Sequence, residues 1–336
     1  MQYWSVYMPQ LRQNIITGEW VVIAPERAKR PSDFVLSSVA RQQKKEECPF
    51  CVGGEAYKNR YREFETKDIY VIPNKYPAFV ESEAHVSPRS YKVENDFYRV
   101  RPSMGGHDVV VIKDHELDLH EFDRKTWTSL FEMFKLRYEH YDKDHFANYV
   151  LPIYNHGPQA GASIEHPHAQ IFTSPIIPNI VEREVHHTQN YFEHNGACAF
   201  CDLVAHEKHE KIRVVAENRD FIAFTQFAAR FPFETWILPK KHKSCFEHIT
   251  GDEISALAKI CRDTFGKIGH VLNNPPLNFF IHSSPTMFEE NVYYHWHLEI
   301  GPRLSTYGGY ELGGGVVIDV VSPEKAAMYL MGFESD

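Results

Sequence analysis

Four of the six cysteines form two Cys-x-x-Cys pairs, Cys48-Pro49-Phe50-Cys51 and Cys198-Ala199-Phe200-Cys201, in a chain where 20 histidines outnumber 18 glycines. Such a pair offers two thiolates to one face of a tetrahedral ion, and two imidazoles commonly complete the set. Each half of the chain supplies them. His115 lies in Lys113-Asp114-His115 and His242 in Lys240-Lys241-His242, and each precedes a His-x-His, His166-Pro167-His168 and His295-Trp296-His297. The intervals from His115 to His166 and from His242 to His295 are 51 and 53 residues. The expected ligand sets are Cys48, Cys51, His115 and His166, and Cys198, Cys201, His242 and His295. Sulfur with nitrogen selects zinc over magnesium or calcium, and four protein ligands close the sphere, so both ions would be structural. The plainer alternative is reduced thiols with unrelated histidines. A redox role fits poorly, because no thioredoxin-like βαβ pattern surrounds either pair. Cys245 and Cys261 read as structural.

In an extended strand alternate side chains share a face, so His166, His168 and Gln170 point the same way. With His166 on a metal, His168 stands beside a rigid base. A neutral imidazole there can attack phosphorus, while the Gln170 amide donates to a phosphoryl oxygen. Asn155 and the backbone from Gly157 to Gly161 offer further donors. The competing reading makes His168 a satisfied core histidine. In the second half the residue matching Gln170 is Glu299, whose carboxylate would repel a phosphate, so one active half per chain is expected.

These residues need strands and helices to hold them. Strand-like runs at Val109 to Ile112, Tyr149 to Tyr154 and Gln170 to Phe172 surround a helix whose apolar positions Trp127, Leu130, Phe131, Phe134, Tyr138 and Tyr141 keep 3–4 spacing. The second half repeats the plan: Phe221 to Phe224, Thr235 to Leu238, a helix with Ile254, Leu257, Ala258, Cys261, Phe265 and Ile268 on one face, then Phe279 to Ile281 and Trp296 to Ile300. A duplicated α+β unit is the economical reading, with halves at 1–185 and 186–336 and a solvated connector carrying His186, His187 and His194 between them.

At 336 residues, 43% hydrophobic and 24% charged, the chain is a globular protein rather than a disordered, coiled-coil or collagen-like one. The net charge of −9 argues against a nucleic-acid polymer as partner and leaves phosphate recognition to local arginines and neutral donors. No apolar run of about 18 residues suggests a membrane span. Met1 to Ser5 has neither a basic n-region nor an apolar h-region, so a cytoplasmic location is expected.

The string Gly161-Ala162-Ser163-Ile164-Glu165-His166-Pro167-His168-Ala169-Gln170 resembles the active-site segment of the galactose-1-phosphate uridylyltransferase family, a duplicated branch of the histidine-triad superfamily. Arg27-Ala28-Lys29-Arg30-Pro31, Asn74 in Ile72-Pro73-Asn74-Lys75-Tyr76-Pro77, Asn155, and Gly309-Tyr310-Glu311 agree in order, so the resemblance spans nearly the whole chain. It implies two histidine-triad-like domains, each an antiparallel sheet packed with helices. It also implies a ping-pong transfer: His168 attacks the α-phosphorus of a nucleotide sugar such as UDP-glucose, releases glucose 1-phosphate, and holds the nucleotidyl group until galactose 1-phosphate takes it. By the same resemblance Gln170 serves the phosphoryl group, Arg27 and Arg30 contact phosphate, Asn74 and Asn155 contact the nucleotide, Ser163 belongs to the substrate segment, and Tyr310 and Glu311 contact sugar. A homodimer, in which the Gly-Tyr-Glu loop reaches the partner's site, is implied too.

Two departures keep the donor open. The stretch Ser305-Thr306-Tyr307-Gly308 lacks the lysine that uridylyltransferases of the best-known type carry there, and the glycine-rich run to Gly315 is more similar to relatives that phosphorolyse ADP-glucose. Those phosphorylases tend to have serine at Pro167, which favours the uridylyl reading. Some relatives hold the second metal through a glutamate and several histidines, a set that His282 and His297 match. The readings are thus galactose-1-phosphate uridylyltransferase first, ADP-glucose phosphorylase or another adenylyl-transferring enzyme second, and a non-catalytic zinc-stabilised nucleotide binder third.

Overall fold

The computed structural model of the protein describes residues 8–24, 44–81, 97–98, 100, 102–141, 147–288 and 291–333. Arg27 and Arg30 lie outside them.

The chain order is β1 (Gln10–Gln13), β2 (Trp20–Ile23), β3 (Ile69–Pro73), β4 (Gly106–Ile112), α1 (Arg124–Tyr141), β5 (Tyr149–His156), β6 (His168–Ser174), α2 (Asn179–Asn195) and α3 (Ala199–Glu210). There follow β7 (Val214–Glu217), β8 (Phe221–Thr225), β9 (Thr235–Pro239), α4 (Gly251–Leu272), β10 (Leu277–His282), β11 (His297–Pro302), α5 (Gly309–Gly314), β12 (Val317–Asp319) and α6 (Pro323–Leu330). Nine strands form one antiparallel sheet in the order β3-β4-β6-β5-β10-β11-β9-β8-β7, and β1-β2-β12 make a small second sheet. The duplication is visible in that order: β3-β4-α1-β5-β6 and β8-β9-α4-β10-β11 are the same unit. The two units join at β5 and β10, where Asn155 lies opposite Asn278. Pairing there removes two sheet edges that would otherwise expose unpaired backbone groups.

One face of the large sheet carries α1 and α4. Their apolar stripes, including all the helical positions read from the periodicity, are buried against Val110, Ala169, Ile171, Phe279, Ile281, Leu298 and Ile300. Trp127 of α1 meets Phe265 of α4 with ring centroids 4.7 Å apart. Thr250 and Glu253 start α4 with a reciprocal capping box, satisfying N-terminal donors before the apolar run begins. On the opposite face α2 and α3 cover the second half through Val181, Val185, Phe200 and Leu203 against Trp236, Leu238 and Tyr294. No helix among the described residues is long and apolar enough to cross a membrane.

Two local expectations are corrected. The connector between halves is helix α2, with Val181, Glu184, Val185 and Thr188 buried, although His186 and His194 are exposed as expected. Its apolar positions recur at helical spacing and bury one side, which overrides its polar composition. His166 does not belong to the strand: β6 begins at His168, and His166 sits in the bend before it. Its ring lies between the Cys48 and Cys51 sulfurs on one side and the Ile112 carbonyl on the other, and Pro167 after it has no N–H to give a strand ladder.

Candidate active site and metal centres

Directly opposed residues of neighbouring strands project from the same face of a sheet. Val111 opposes His168, Val109 opposes Gln170, and Ile153 opposes Gln170 from the other side, so these side chains share the face turned away from α1 and α4. His107, Asn155 and Asn278 fall in the same alternation. The outcome is a polar patch at the centre of the nine-stranded sheet, between the cover over the second half and the cysteine cluster over the first.

His168 is 7% exposed and opens β6. Its Nδ1 donates to the His166 carbonyl at 2.8 Å, which leaves the lone pair on Nε2. Burial lowers its pKa, the carbonyl only partly opposing, so the neutral imidazole is the resident form. Phe50, from within the first cysteine pair, lies edge-on at 5.2 Å and limits how the ring can turn. Gln170, two residues on, has Oε1 2.8 Å from His107 Nε2. Asn155 Oδ1 accepts from Asn278 Nδ2 at 2.8 Å, and Asn74 Oδ1 accepts from the Tyr76 N–H at 2.9 Å.

Cys48, Cys51, His115 and His166 are gathered with their ligand atoms within 4.8 Å of one another, all four buried. A zinc ion with ordinary bond lengths sets S···N edges of about 3.6 Å and N···N edges of about 3.3 Å. Here Cys48 Sγ to His166 Nδ1 is 3.4 Å, Cys51 Sγ to His115 Nδ1 is 3.4 Å and to His166 Nδ1 3.7 Å, and the two Nδ1 atoms are 3.0 Å apart. His166 Nε2 donates to the Ile112 carbonyl at 2.6 Å, which fixes Nδ1 as the unprotonated ligand atom. Burial, with the adjacent Cys48, pushes the Cys51 thiol up to about 11, the strain that a divalent ion between two sulfurs relieves. The donor set therefore fits a tetrahedral ion. Because the His166 carbonyl holds His168, that ion would anchor the His168 ring through one residue's backbone.

The second cysteine pair meets His242 and His295, again within 4.8 Å. Cys201 Sγ is 3.5 Å from His242 Nδ1. His242 Nε2 donates to the Asn291 carbonyl at 3.0 Å and His295 Nε2 to the Lys241 carbonyl at 2.8 Å, so each ring again turns Nδ1 toward the sulfurs. His295 Nδ1 is buried without a hydrogen-bond partner, the mark expected of a ligand atom waiting for an ion.

A third cluster, Glu184, His282, His297 and Glu299, is separate from it. The two alternatives for the second metal are thus two different places: His295 turns to the cysteines, whereas His297 turns to the carboxylates. Here every carboxylate has a protein partner. His282 Nδ1 bonds Glu184 Oε1 at 2.9 Å, Tyr294 donates to Glu184 Oε2 at 2.6 Å, His297 Nε2 meets Glu299 Oε1 at 3.1 Å, and Arg230 pairs with Glu299. Burial alone would raise Glu299, yet Arg230 and the two histidines hold it down to about 2. Glu184 escaped the sequence reading, although a lone carboxylate between Val181, Val185 and Thr188 on the buried side of α2 was a usable signal.

Ser163 is exposed in the turn before His166. Tyr310 and Glu311 lie in α5, which packs on β12; Tyr310 is exposed, and Glu311 accepts from the Gly308 N–H to cap the helix. The structure gathers His168, Gln170, Asn155 and Asn74 on the sheet face and leaves Tyr310 and Glu311 on the surface beside the small sheet.

The family descriptions "Galactose-1-phosphate uridyl transferase, N-terminal domain" and "C-terminal domain" match residues 2–178 and 184–307. The chain belongs to the galactose-1-phosphate uridyl transferase family. Among family relatives, the ADP-glucose phosphorylase of Arabidopsis thaliana is 35% identical over 329 residues, covering 95% of this chain and 91% of that one. The galactose-1-phosphate uridylyltransferase of Thermotoga maritima is 30% identical over 332 residues, covering 96% and 98%. The crystal structure of the Arabidopsis thaliana ADP-glucose phosphorylase with bound ADP-glucose superposes with a TM-score of 0.81 at 30% identity, covering 98% of this chain and 100% of that one. Membership makes the chain a nucleotidyltransferase by class.

Proposed function

We propose that this chain moves a nucleotidyl group from a nucleotide sugar to a phosphate-bearing acceptor through a covalent bond to His168. The carrying observation is the state of the ring: one nitrogen donates to the His166 carbonyl and the other holds a lone pair on a buried, neutral imidazole. Nε2 attacks the α-phosphorus, a P–N bond forms, and the P–O bond to the sugar phosphate breaks, its electron pair leaving with sugar 1-phosphate. Positive charge developing on the ring is met by the Nδ1–H···O=C bond, which strengthens as the ring becomes cationic. Gln170 donates to a phosphoryl oxygen as charge moves onto it. In the second half-reaction an acceptor oxygen attacks phosphorus and the P–N pair returns to Nε2. Zinc, held by Cys48, Cys51, His115 and His166 and by Cys198, Cys201, His242 and His295, would supply scaffold stability only.

ADP-glucose with inorganic phosphate as acceptor is the first reading, supported by the likeness to the plant phosphorylase and by the absence of lysine in Ser305 to Gly308. Uridylyl transfer to galactose 1-phosphate is the second, supported by Pro167 and the likeness to the Thermotoga maritima enzyme. Exposed Tyr310, with half-buried Glu311 beside it, suits a role in a second copy's site within a homodimer. Intact mass after incubation with each nucleotide sugar, without acceptor, separates the readings: an adenylyl or a uridylyl adduct names the base. No adduct with either, alongside measurable nucleotide binding, would leave the non-catalytic binder.

A further inference from the structure

A primary amide presents either a repelling oxygen or two attracting hydrogens to a phosphate, and the end that faces the ligand is set by what holds the other. We infer that His107 and Asn278 are positioning residues that fix this choice, turning the amides of Gln170 and Asn155 donor-side toward an anionic ligand. The inference rests on the proposed function and adds residues that no sequence motif marked.

Each chain of bonds starts from a backbone group whose role cannot change. The Ala78 N–H can only donate, and it lies 3.1 Å from His107 Nδ1. That nitrogen must accept, so the ring carries its proton on Nε2. Nε2–H then donates to Gln170 Oε1 at 2.8 Å, which occupies the amide oxygen and leaves the Gln170 NH₂ for another acceptor. On the other side of β6 the Ala160 carbonyl can only accept. Asn278 Nδ2 gives it one hydrogen at 2.8 Å and gives Asn155 Oδ1 the other at 2.8 Å, so the Asn155 NH₂ is left facing outward. Asn74 has its oxygen on the Tyr76 N–H, and its Nδ2 lies 3.1 Å from the protonated His107 Nε2. Two donors cannot bond each other there, so the Asn74 hydrogens also await an acceptor.

His107 is built to hold this orientation. Its ring stacks on Phe172 at 3.9 Å with planes 28° apart. The next residue, Asp108, points through to the helix face, where Arg137 and Tyr141 of α1 bind its carboxylate. Three amides polarised alike make an anion cradle from neutral groups, which suits a chain of net charge −9.

The experiment measures single-turnover formation of the nucleotidyl-enzyme by intact mass, dissociation constants for a nucleoside diphosphate and for the matching nucleoside, and melting temperature. His107→Phe keeps the stack on Phe172 and removes the donor; His107→Met replaces it should Phe prevent folding. The expected result is adduct formation roughly 10–100-fold slower, nucleoside affinity unchanged, and little further loss when Gln170→Ala is added, because both changes remove the same interaction. His107→Gln, which restores an N–H, should recover part of the rate. Asn278→Leu should weaken the diphosphate and spare the nucleoside. Wild-type adduct rates in His107→Phe, or losses that multiply with Gln170→Ala, overturn the inference alone. If the wild type forms no adduct with any nucleotide sugar, the functional reading fails instead, and the diphosphate constants decide: weaker in both variants supports amide polarity, unchanged overturns it.

Discussion

His168 and His297 occupy the same place in the two copies of the fold. Each opens the last strand of its unit, and each donates Nδ1–H to the carbonyl two residues back, at 2.8 Å and 3.1 Å. The difference lies two residues further on. Gln170 bonds His107 rather than His168, whereas Glu299 meets His297 Nε2 at 3.1 Å. Around His297 the cover is complete: Trp236 stacks at 4.7 Å, Phe200 lies at 5.1 Å, and α2 brings Glu184 over the cluster. A single change from amide to carboxylate, once sealed under two helices, turns the position proposed as reactive in one half into a buried ion cluster in the other.

The largest expected effect breaks that pairing outright. His168→Asn should abolish the covalent adduct, a loss on the order of 10⁴-fold or more, while His297→Asn should leave the adduct mass intact and lower only the melting temperature. Adduct formation that depends on His297 would overturn the assignment of one active half.

Next is the ion cluster itself. Arg230 pairs with both Glu299 and Glu234, each 1% exposed. Arg230→Met would remove the cation that two buried carboxylates share and should cost about 3–5 kcal/mol in denaturant unfolding. A loss below about 1 kcal/mol would mean that the carboxylates find other partners.

The two cysteine sites should also part company. Cys51→Ser should lower the melting temperature by about 5–15 °C and slow adduct formation, because His166 holds the nucleophile. Cys198→Ser should lower melting similarly and spare single-turnover chemistry. Equal kinetic losses in both would remove the proposed link between the first ion and His168.

The smallest effect contrasts equivalent helices. Helix α4 carries Gly266 and Gly269, where α1 has no glycine. A Cβ at Gly266 meets nothing within 4 Å, so Gly266→Ala should stabilise by up to about 1 kcal/mol. At Gly269 the added carbon would stand 2.6 Å from His120 Cβ, and Gly269→Ala should cost about 1–3 kcal/mol.

Much of this was legible because spacing carries it. A Cys-x-x-Cys answered by two histidines reports a ligand set without any knowledge of the fold, and the periodic apolar positions of α1 and α4 report their buried faces. Glu184 was harder to read, because α2 is polar on average and only one of its sides packs. His107 and Asn278 carried no signal: a histidine and an asparagine in strands become positioning groups only when register sets them beside Gln170 and Asn155. Arg27 and Arg30, assigned to phosphate by resemblance, fall outside the described residues.

The sequence alone determined the duplicated α+β unit, the two Cys₂His₂ sets and the candidate nucleophile, since each depends on residue type and interval along one chain. Tertiary structure decided that the two units share one sheet through β5 and β10, that His295 serves the cysteines while His297 serves the carboxylates, and which protein group holds each amide oxygen. Those outcomes depend on strand register and burial, which bring together residues far apart in the chain, 63 positions for His107 and Gln170 and 123 for Asn155 and Asn278, and make the electrostatic cost of each arrangement count.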